Sequence, residues 1–301
     1  MTPAMTEAQV LALFEQCSNE GRWGEADERG TLNYVSAEKR VNAAALVKSG
    51  RAVSLAYDLA TRTSRQYPPS ALHVMTYAGH QPTAALDLLL VAPHGFEVTH
   101  MDAVAHEYFE GRVYNGRSAA AVVHAGGVEF GSITAARDGV FTRGVLLDVA
   151  GAQGLDYLGC GDGISADDLE LAEENAGVTV TTGDAVLVRS GLKTREGREG
   201  VGPMEPREGL LPDAVAWLHE REVAVFSGDC IEKLPSGYER VPMPLHQIGL
   251  VAMGLMILDS TNVDLLAGVC AQEGRSEFLF VAAPLRIPGG TGSPVNPLAV
   301  F

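Results

Sequence analysis

The chain has 301 residues, of which 46% are hydrophobic and 20% are charged, and its formal net charge at pH 7 is −16. This composition is typical of a globular protein with a substantial core. The negative charge argues against nucleic acid or an anionic membrane as a partner, but it does not exclude an anionic substrate at a site that holds a cation.

The chain contains no apolar run long enough to span a bilayer, and its N-terminus lacks a basic region followed by an apolar stretch. We therefore expect no membrane segment, no signal peptide and a cytoplasmic location. The four cysteines are far apart and form no C-x-x-C pair. This spacing argues against a finger-type zinc site and a disulfide scaffold, and it predicts reduced thiols that serve in packing.

The predicted elements begin with an N-terminal extension, residues 1–35, which carries a short amphipathic stretch from Val10 to Phe14. Ser36 is a typical helix N-cap, and the helix that follows it is predicted to end at Gly50. The main domain is therefore expected to cover residues 36–301.

Residues 52–59 are predicted to form a strand, and residues 61–82, rich in Pro, Ser, Tyr and His, are predicted to form a long loop over the sheet. The continuous apolar run at 88–92 is typical of a strand that is buried on both faces. This strand leads directly into the part of the chain that carries most of its candidate chemistry.

The segment Thr99-His100-Met101-Asp102-Ala103-Val104-Ala105-His106 places two imidazoles and a carboxylate close together, and His94 lies just upstream. If the backbone is extended here, His100 and Asp102 point to the same face and could bind one metal ion. Imidazole and carboxylate together suit Zn²⁺, Mn²⁺ or Fe²⁺ better than Ca²⁺ or Mg²⁺. The spacing alone leaves a second interpretation open, in which these residues form a solvated surface strand.

In the rest of the chain, strands alternate with helices. Strands are predicted over 140–149, 178–181, 184–189, 223–226 and 278–285, helices after Ser165 and Asp213, and a helix that passes into a strand over 246–258. The charged, Gly-rich residues 191–209 predict a mobile surface loop. Because several strands adjoin without an intervening helix, the pattern favours an α/β fold with a mixed β-sheet and flanking helices over a regular (β/α)₈ barrel.

The segment from Thr99 to His106 closely resembles the signature of the metal-dependent cyclase superfamily, which includes bacterial kynurenine formamidase and isatin hydrolase. Four further segments resemble motifs of the same family, in the expected order: Arg22-Trp23-Gly24 through Gly30-Thr31-Leu32-Asn33; Gly183-Asp184-Ala185-Val186-Leu187; Pro244-Leu245-His246 with Leu258-Asp259; and the closing loop Gly290-Thr291-Gly292-Ser293-Pro294-Val295-Asn296-Pro297. The resemblance implies a swivelling β/β/α cyclase-like fold, assembled as a homodimer or homotetramer.

The resemblance also implies a site that binds one or two divalent transition metal ions, Zn²⁺ or Mn²⁺, and a small-molecule substrate. His100 and Asp102 would be metal ligands, and His106 would transfer protons. His246 and Asp259 would contribute to a second metal or to substrate orientation.

Two positions depart from the family pattern. The family commonly has a histidine where this chain has Phe96, and a glutamate one residue closer to His246 where this chain has Asp259. His94 could replace the first of these as a ligand, or contact substrate, if the chain bulges at Gly95, because glycine tolerates unusual backbone angles.

These parts together suit a metal-dependent hydrolase that cleaves the C–N bond of an amide, formamide or lactam. A metal ion polarises the carbonyl group and activates water, and His106 carries the proton to the leaving nitrogen. Two alternatives remain open. One is a cyclase or dehydratase that acts on a polyketide-like substrate through a stabilised enolate. The other is a non-catalytic binding protein that lost a ligand at Phe96.

Overall fold

The computed structural model describes residues 5–61, 70–77, 84–203 and 205–301 of the chain. In these ranges the helices are α1 Glu7–Gln16, α2 Ala37–Ala44, α3 Ala119–Val122, α4 Val149–Ala152, α5 Ala166–Ala176, α6 Leu192–Glu199, α7 Pro212–Glu220, α8 Pro244–His246 and α9 Val263–Glu273. Short 3₁₀ turns cover Gly30–Tyr34 and Ile133–Ala136, and a π-helix covers Gln247–Met253. Among the described helices, none has the length and apolar character needed to cross a bilayer.

The strands of the described ranges form one large sheet, one small sheet and two hairpins. They are β1 Ala52–Ser54, β2 Ala71–Tyr77, β3 Ala85–Val91, β4 His100–Asp102, β5 Val123–His124, β6 Gly127–Val128, β7 Val140–Asp148, β8 Gly163–Ile164, β9 Ala185–Arg189, β10 Gly209–Leu210, β11 Val225–Gly228, β12 Ile231–Glu232, β13 Met256–Asp259, β14 Glu277–Ala282, β15 Gly292–Pro294 and β16 Leu298–Val300.

The large sheet has the strand order β1-β16-β14-β7-β9-β11-β13-β4-β15. Its four central strands, from β7 to β13, are parallel, and the strands on both sides of them pair antiparallel. The small parallel sheet has the order β12-β10-β8. The prediction of a mixed α/β sheet with flanking helices is therefore confirmed.

The core lies on both faces of the large sheet because side chains alternate along its central strands. Val145 and Val186 enter a cluster with helices α1, α5 and α7, whereas Leu146 and Leu187 enter a second cluster with α9. The first cluster includes Leu13 of α1, so part of the N-terminal extension packs into the same core as the main sheet.

Several local predictions are confirmed. The side chain of Ser36 accepts a hydrogen bond from the backbone N–H of Lys39 at the start of α2, and Ser165 forms a capping box with Asp168 at the start of α5. Asn115 and Gly116 both have positive φ angles, as expected for a tight turn after Tyr114. Of the four free cysteines, three are buried and Cys160 is exposed.

Other predictions of elements are wrong. The helix after Ser36 ends at Ala44, the first strand covers only Ala52–Ser54, and residues 178–181 form no strand. Helix α6 lies within 191–209, where a mobile loop was predicted, because Gly191 and Asp229 supply a defined N-terminus for it.

The largest difference concerns the region before the candidate site. Within 61–82, residues 71–77 form strand β2, and residues 62–69 and 78–82 lie outside the described ranges. The predicted apolar strand exists as β3, but it pairs with β2 in a two-stranded hairpin and is exposed along most of its length. The expected burial of residues 88–92 on both faces is therefore wrong for this single chain.

Candidate metal centre

Strand pairing brings the first three candidate residues together. Strand β4 lies between β13 and β15, and its register places His100 opposite Asp259. Residues that lie directly opposite each other in an antiparallel pair project from the same face. His100, Asp102 and Asp259 therefore point into one space, and all three are buried.

His246 reaches this space from the end of α8, where the chain enters the π-helix Gln247–Met253. Its Nε2 lies 3.6 Å from an oxygen of Asp102 and 3.3 Å from an oxygen of Asp259. Its Nδ1 lies 2.9 Å from the carboxylate of Glu232 on β12. Glu232 thus holds the ring so that Nε2 faces the other residues.

Two glycines, Gly95 and Gly292, allow the side chain of His94 to reach this space. Gly95 has a φ of +122°, a conformation that L side chains rarely adopt, and this bulge directs His94 toward Asp102 with Nδ1 2.9 Å from Oδ1. A Cβ on Gly292 of β15 would lie 2.6 Å from the His94 ring. The site therefore depends on the absence of a side chain at both positions.

His106 follows β4 after a tight turn, in which its backbone N–H donates to the carbonyl of Ala103. Its ring stacks on the His94 ring, with centroids 3.8 Å apart and planes within 1°. The Nε2 atom lies 4.0 Å from Oδ1 of Asp102, and the side chain is 24% exposed. His106 is thus at the open side of the cluster, where a bound molecule could contact it.

We name the six residues His94, His100, Asp102, His106, His246 and Asp259 the six-residue cluster. One ring nitrogen of each of the four histidines lies 2.9–4.0 Å from an oxygen of Asp102. An oxygen of Asp259 lies 3.3 Å from Nε2 of His246. Ligands that are roughly 2.0–2.2 Å from a shared ion are spaced in this way.

The two oxygens of Asp102 provide the sharpest test of whether a cation fits. Both are buried without a hydrogen bond of acceptable geometry, although imidazole nitrogens surround them, and Oδ1 of Asp259 is in the same situation. A buried carboxylate that makes no hydrogen bond of good geometry is expensive, and a cation that these atoms face in common would satisfy it. The residues present therefore fit a divalent metal ion.

The protonation of the His100 and His246 rings also agrees with metal binding. His100 Nδ1 lies 2.8 Å from the carbonyl oxygen of Val98, which requires a proton on Nδ1. His246 Nδ1 is similarly engaged by Glu232. In the neutral form of each ring, Nε2 then carries a free lone pair directed into the cluster, as in metal-binding histidines.

Without a cation, protons must balance the buried carboxylates. Burial alone would lower the pKa of His100, but Asp102 outweighs burial and raises the pKa to about 9. Burial acts in the same direction on His246, and Glu232 and the two aspartates raise its pKa well above the usual value. The contacts with His100, His246 and His94 hold the pKa of Asp102 well below its usual range, against the effect of burial.

The geometry accommodates either one or two ions. His94, Asp102 and His106 form one group whose ligand atoms lie within 4.8 Å of one another, and His100, Asp102 and Asp259 form a second. Asp102 belongs to both groups, and carboxylates commonly use their two oxygens for different partners.

A pocket of about 390 Å³ is lined by residues that neighbour the cluster in the chain, although none of the six cluster residues lines it. Its wall includes Phe96, which lies between His94 and His100 in the chain, and Ser260, which follows Asp259. The ring of Phe96 faces the pocket with the Arg207 guanidinium 4.2 Å from its centroid. Phe96 therefore lines the pocket, and His94 takes the place in the cluster that a histidine at position 96 would have.

Sequence reasoning missed two residues that support the cluster. Glu232 is fully buried and orients His246, and Thr291 lies 3.2 Å from Nε2 of His94. Thr291 belongs to the closing glycine-rich loop, which had drawn attention only as a motif. For Glu232 a local signal existed, since a single glutamate after the apolar Cys230-Ile231 pair is costly to bury without a function.

Comparisons with known proteins agree with this architecture. The family model named "Cyclase (putative cyclase)" matches residues 53–232, which is more than half of the chain. A crystal structure described as that of a novel cyclase aligns with a TM-score of 0.84 at 30% identity, covering 94% of this chain and 99% of that one.

Two similar proteins carry the name isatin hydrolase. The chain is 29% identical over 154 residues to isatin hydrolase from Roseibium aggregatum, a match that covers 48% of this chain and 53% of the relative. The chain thus matches about half the length of that curated relative. Isatin hydrolase A from Ralstonia solanacearum has a TM-score of 0.57 at 23% identity, over 83% of this chain and 92% of that one, which shows a shared fold.

Proposed function

The chain belongs to the cyclase family, and from this premise we propose that it is a metal-dependent hydrolase that cleaves a C–N bond in a small carbonyl compound. The observation that carries the proposal is the pair of buried Asp102 oxygens, which lack hydrogen bonds although nitrogen atoms of four imidazoles lie nearby. A purely structural cluster would pair these atoms with donors.

Five residues would hold the metal: His94, His100, Asp102, His246 and Asp259. They offer three imidazole nitrogens and two carboxylates, a donor set that suits Zn²⁺ or Mn²⁺. When bound, such an ion supplies Lewis acidity, which polarises a carbonyl group and lowers the pKa of water toward neutrality. Glu232 orients His246, and Val98 orients His100, so that both rings are arranged before substrate binds.

His106 would move the proton. Burial lowers its pKa to about 4, against the opposing effect of Asp102, so the ring is neutral at pH 7 and has a free nitrogen lone pair, although it is a weaker base than an exposed imidazole. Its stacking on His94 fixes the plane of the ring at the open side of the cluster. From there His106 can take a proton from attacking water and return it to the leaving nitrogen.

The pocket lined by Tyr57 and Phe96 is the proposed place for a small substrate. Its volume of about 390 Å³ is in the range of small-molecule sites. Tyr57 and Phe96 contribute aromatic rings to its wall, each with a cationic side chain over its face, Lys193 and Arg207 respectively. The partial likeness to isatin hydrolase supports a cyclic amide among the compounds to be tested.

The decisive experiment is an assay of purified protein loaded with Zn²⁺ or Mn²⁺ against a lactam, an aromatic formamide and a linear amide, in ¹⁸O-labelled water. Hydrolysis places labelled oxygen in the carboxylate product of at least one of them. Cyclisation or dehydration of a polyketide-like substrate gives product without the label. A protein that takes up no metal under any loading condition and turns over none of these compounds would be a binding protein instead.

A further inference from the structure

Arg207 lines the pocket, and its side chain has neither an ion pair nor a hydrogen bond among the described residues. Its backbone forms two hydrogen bonds with Leu234, at 2.8 Å and 3.0 Å, which fix the position from which the side chain extends. Its guanidinium lies over the Phe96 ring, 4.2 Å from the centroid. A guanidinium over an aromatic ring can still use the N–H donors at its edge. Arg207 is therefore held in place with donors that a bound molecule can use.

Tyr57 supplies a second unused donor to the same pocket. Its hydroxyl oxygen is buried, and no described residue forms a hydrogen bond with it. Burial, and after it the carboxylate of Asp229, raises the pKa of Tyr57 above its usual value, so the hydroxyl keeps its proton at neutral pH. A buried donor without an acceptor is costly, and a ligand that offers an oxygen atom would satisfy it.

The acidic residues of the pocket wall do not neutralise Arg207. Three of the five carboxylates that line the pocket have partners elsewhere within the protein, namely Glu196, Glu208 and Asp229. Glu208, the neighbour of Arg207 in the chain, accepts two hydrogen bonds from Arg195, at 2.7 Å and 2.8 Å. Asp58 and Glu97 are the other two, and neither forms an ion pair with Arg207.

Hydrogen bonds join the pocket wall to the strands of the six-residue cluster through Thr99, which precedes β4. The Thr99 hydroxyl accepts the backbone N–H of Tyr57 at 3.0 Å and donates to the carbonyl of Ser260 at 2.7 Å. The Ser260 hydroxyl in turn donates to the carbonyl of Phe96 at 3.1 Å. These bonds hold the pocket wall beside the ends of β4 and β13, which carry residues of the cluster.

We propose that Arg207 selects substrates that carry a carboxylate, or a similar anionic group, remote from the bond that reacts. The inference rests on the proposed function and names its substrate class: an anionic amide, formamide or lactam. A carboxylate suits Arg207 because its two oxygens can accept a pair of guanidinium N–H groups. The Tyr57 hydroxyl donates to an oxygen of the same ligand. Arg207 is thus a specificity-determining residue.

The first test compares the binding of benzoate and benzamide by ligand-observed NMR. The two probes have nearly the same shape and differ in charge. Benzoate should bind at least about 10-fold more tightly than benzamide, because hydrogen bonds between charged groups are the stronger ones. Arg207→Met should remove this difference. Arg40→Met is the matched control, since Arg40 on α2 is also half-buried, lies outside the pocket and changes the net charge equally.

Tyr57→Phe keeps the aromatic ring and removes the hydroxyl. It should weaken benzoate binding about 3–10-fold, as expected for the loss of one hydrogen bond. Equal binding of the two probes to the unchanged protein would overturn the proposal. So would an Arg207→Met variant that is folded by circular dichroism and keeps the preference for benzoate. Tighter binding of benzylammonium than of benzoate would overturn it as well, and would assign the pocket to a cation that faces Asp58 and Glu97.

Turnover separates this inference from the proposed function. 4-Formamidobenzoate and 4-formamidobenzamide carry the same formamide and differ in charge at the far end of the ring. The metal-loaded protein should hydrolyse the anionic compound with a kcat/KM at least about 10-fold higher, through a lower KM, and Arg207→Met should remove the preference. Hydrolysis of both compounds without a preference would overturn the inference and leave the proposed function intact. Arg207-dependent binding of benzoate without turnover of any compound would support the anion site and contradict the proposed function.

Discussion

The carboxylate of Glu232 lies 2.9 Å from Nδ1 of His246 and also accepts the backbone N–H of His246 at 3.0 Å. Both residues are buried. This double contact fixes the position and the ring orientation of His246, and it leaves Nε2 as the atom that faces Asp102 and Asp259. Glu232 is thus a positioning residue for the proposed metal centre.

Glu232→Gln should lower metal affinity about 10–100-fold, because the neutral amide holds the imidazole less firmly and makes it a weaker ligand. Competition with a chromophoric chelator measures this affinity. Glu173→Gln is the control, since Glu173 is also buried and accepts a backbone N–H, from Val180, but lies outside the cluster. An equal loss of affinity in both variants would assign the effect to general loss of stability.

His94→Ala should lower metal affinity at least about 100-fold, more than the loss of a supporting residue, because it removes a ligand atom. Phe96→Ala should leave metal affinity unchanged and alter KM, because Phe96 lines the pocket. Metal titration and steady-state kinetics separate the two effects. If Phe96→Ala loses metal and His94→Ala does not, the assignment of His94 is wrong.

Gly292→Ala should lower metal affinity in the same way as His94→Ala, but by less. The added methyl group would lie 2.6 Å from the His94 ring, so the ring must move away from Asp102. We expect a loss of metal affinity on the order of 10-fold, similar to the loss of an orienting contact. Gly268→Ala provides the comparison, since a Cβ there meets nothing within 4 Å and should leave metal affinity unchanged.

His106→Ala should lower kcat about 10²–10⁴-fold while the metal content stays the same, as expected for a proton-transfer residue. Metal analysis by mass spectrometry accompanies the kinetics. His124→Ala, which alters an exposed histidine on β5, should have no effect. Loss of the metal from His106→Ala would instead make His106 a ligand, and full activity would remove it from the mechanism.

Removal of the metal should make stability depend on pH. In the metal-free protein, a rise in the pKa of His100 from 6.5 to about 9 stabilises the folded state by about 3 kcal/mol. Because the folded pKa is the higher one, this stabilisation is complete below pH 6.5 and is lost as the pH rises through 9. The Tm of chelator-treated protein should therefore fall over this interval.

The metal-loaded protein should not show the same fall, since its imidazoles have already given up their protons. Metal binding at pH 7 should release protons, and the apparent affinity should increase toward pH 9. Calorimetric titrations in buffers with different ionisation enthalpies measure the release. A Tm of metal-free protein that is constant or rises between pH 6.5 and 9 would contradict this prediction.

Local patterns predicted a considerable part of this structure. The caps at Ser36 and Ser165 and the turn at Asn115 depend on interactions within a few residues, so they can be inferred from the chain alone. The common face of His100 and Asp102 has the same origin, because alternation along a strand is a property of the backbone.

What the sequence by itself determined is the kind of site: a short extended segment with imidazole and carboxylate groups on one side. The family resemblance already named the six members of the cluster, whereas the tertiary structure alone decided how they face one another and added Glu232 as a supporting residue. Asp259 faces the cluster because β13 pairs with β4 in one particular register, and Glu232 reaches His246 from β12 of the small second sheet. Such contacts join residues far apart in the chain, and their geometry follows from how all the layers pack together, which local spacing does not encode.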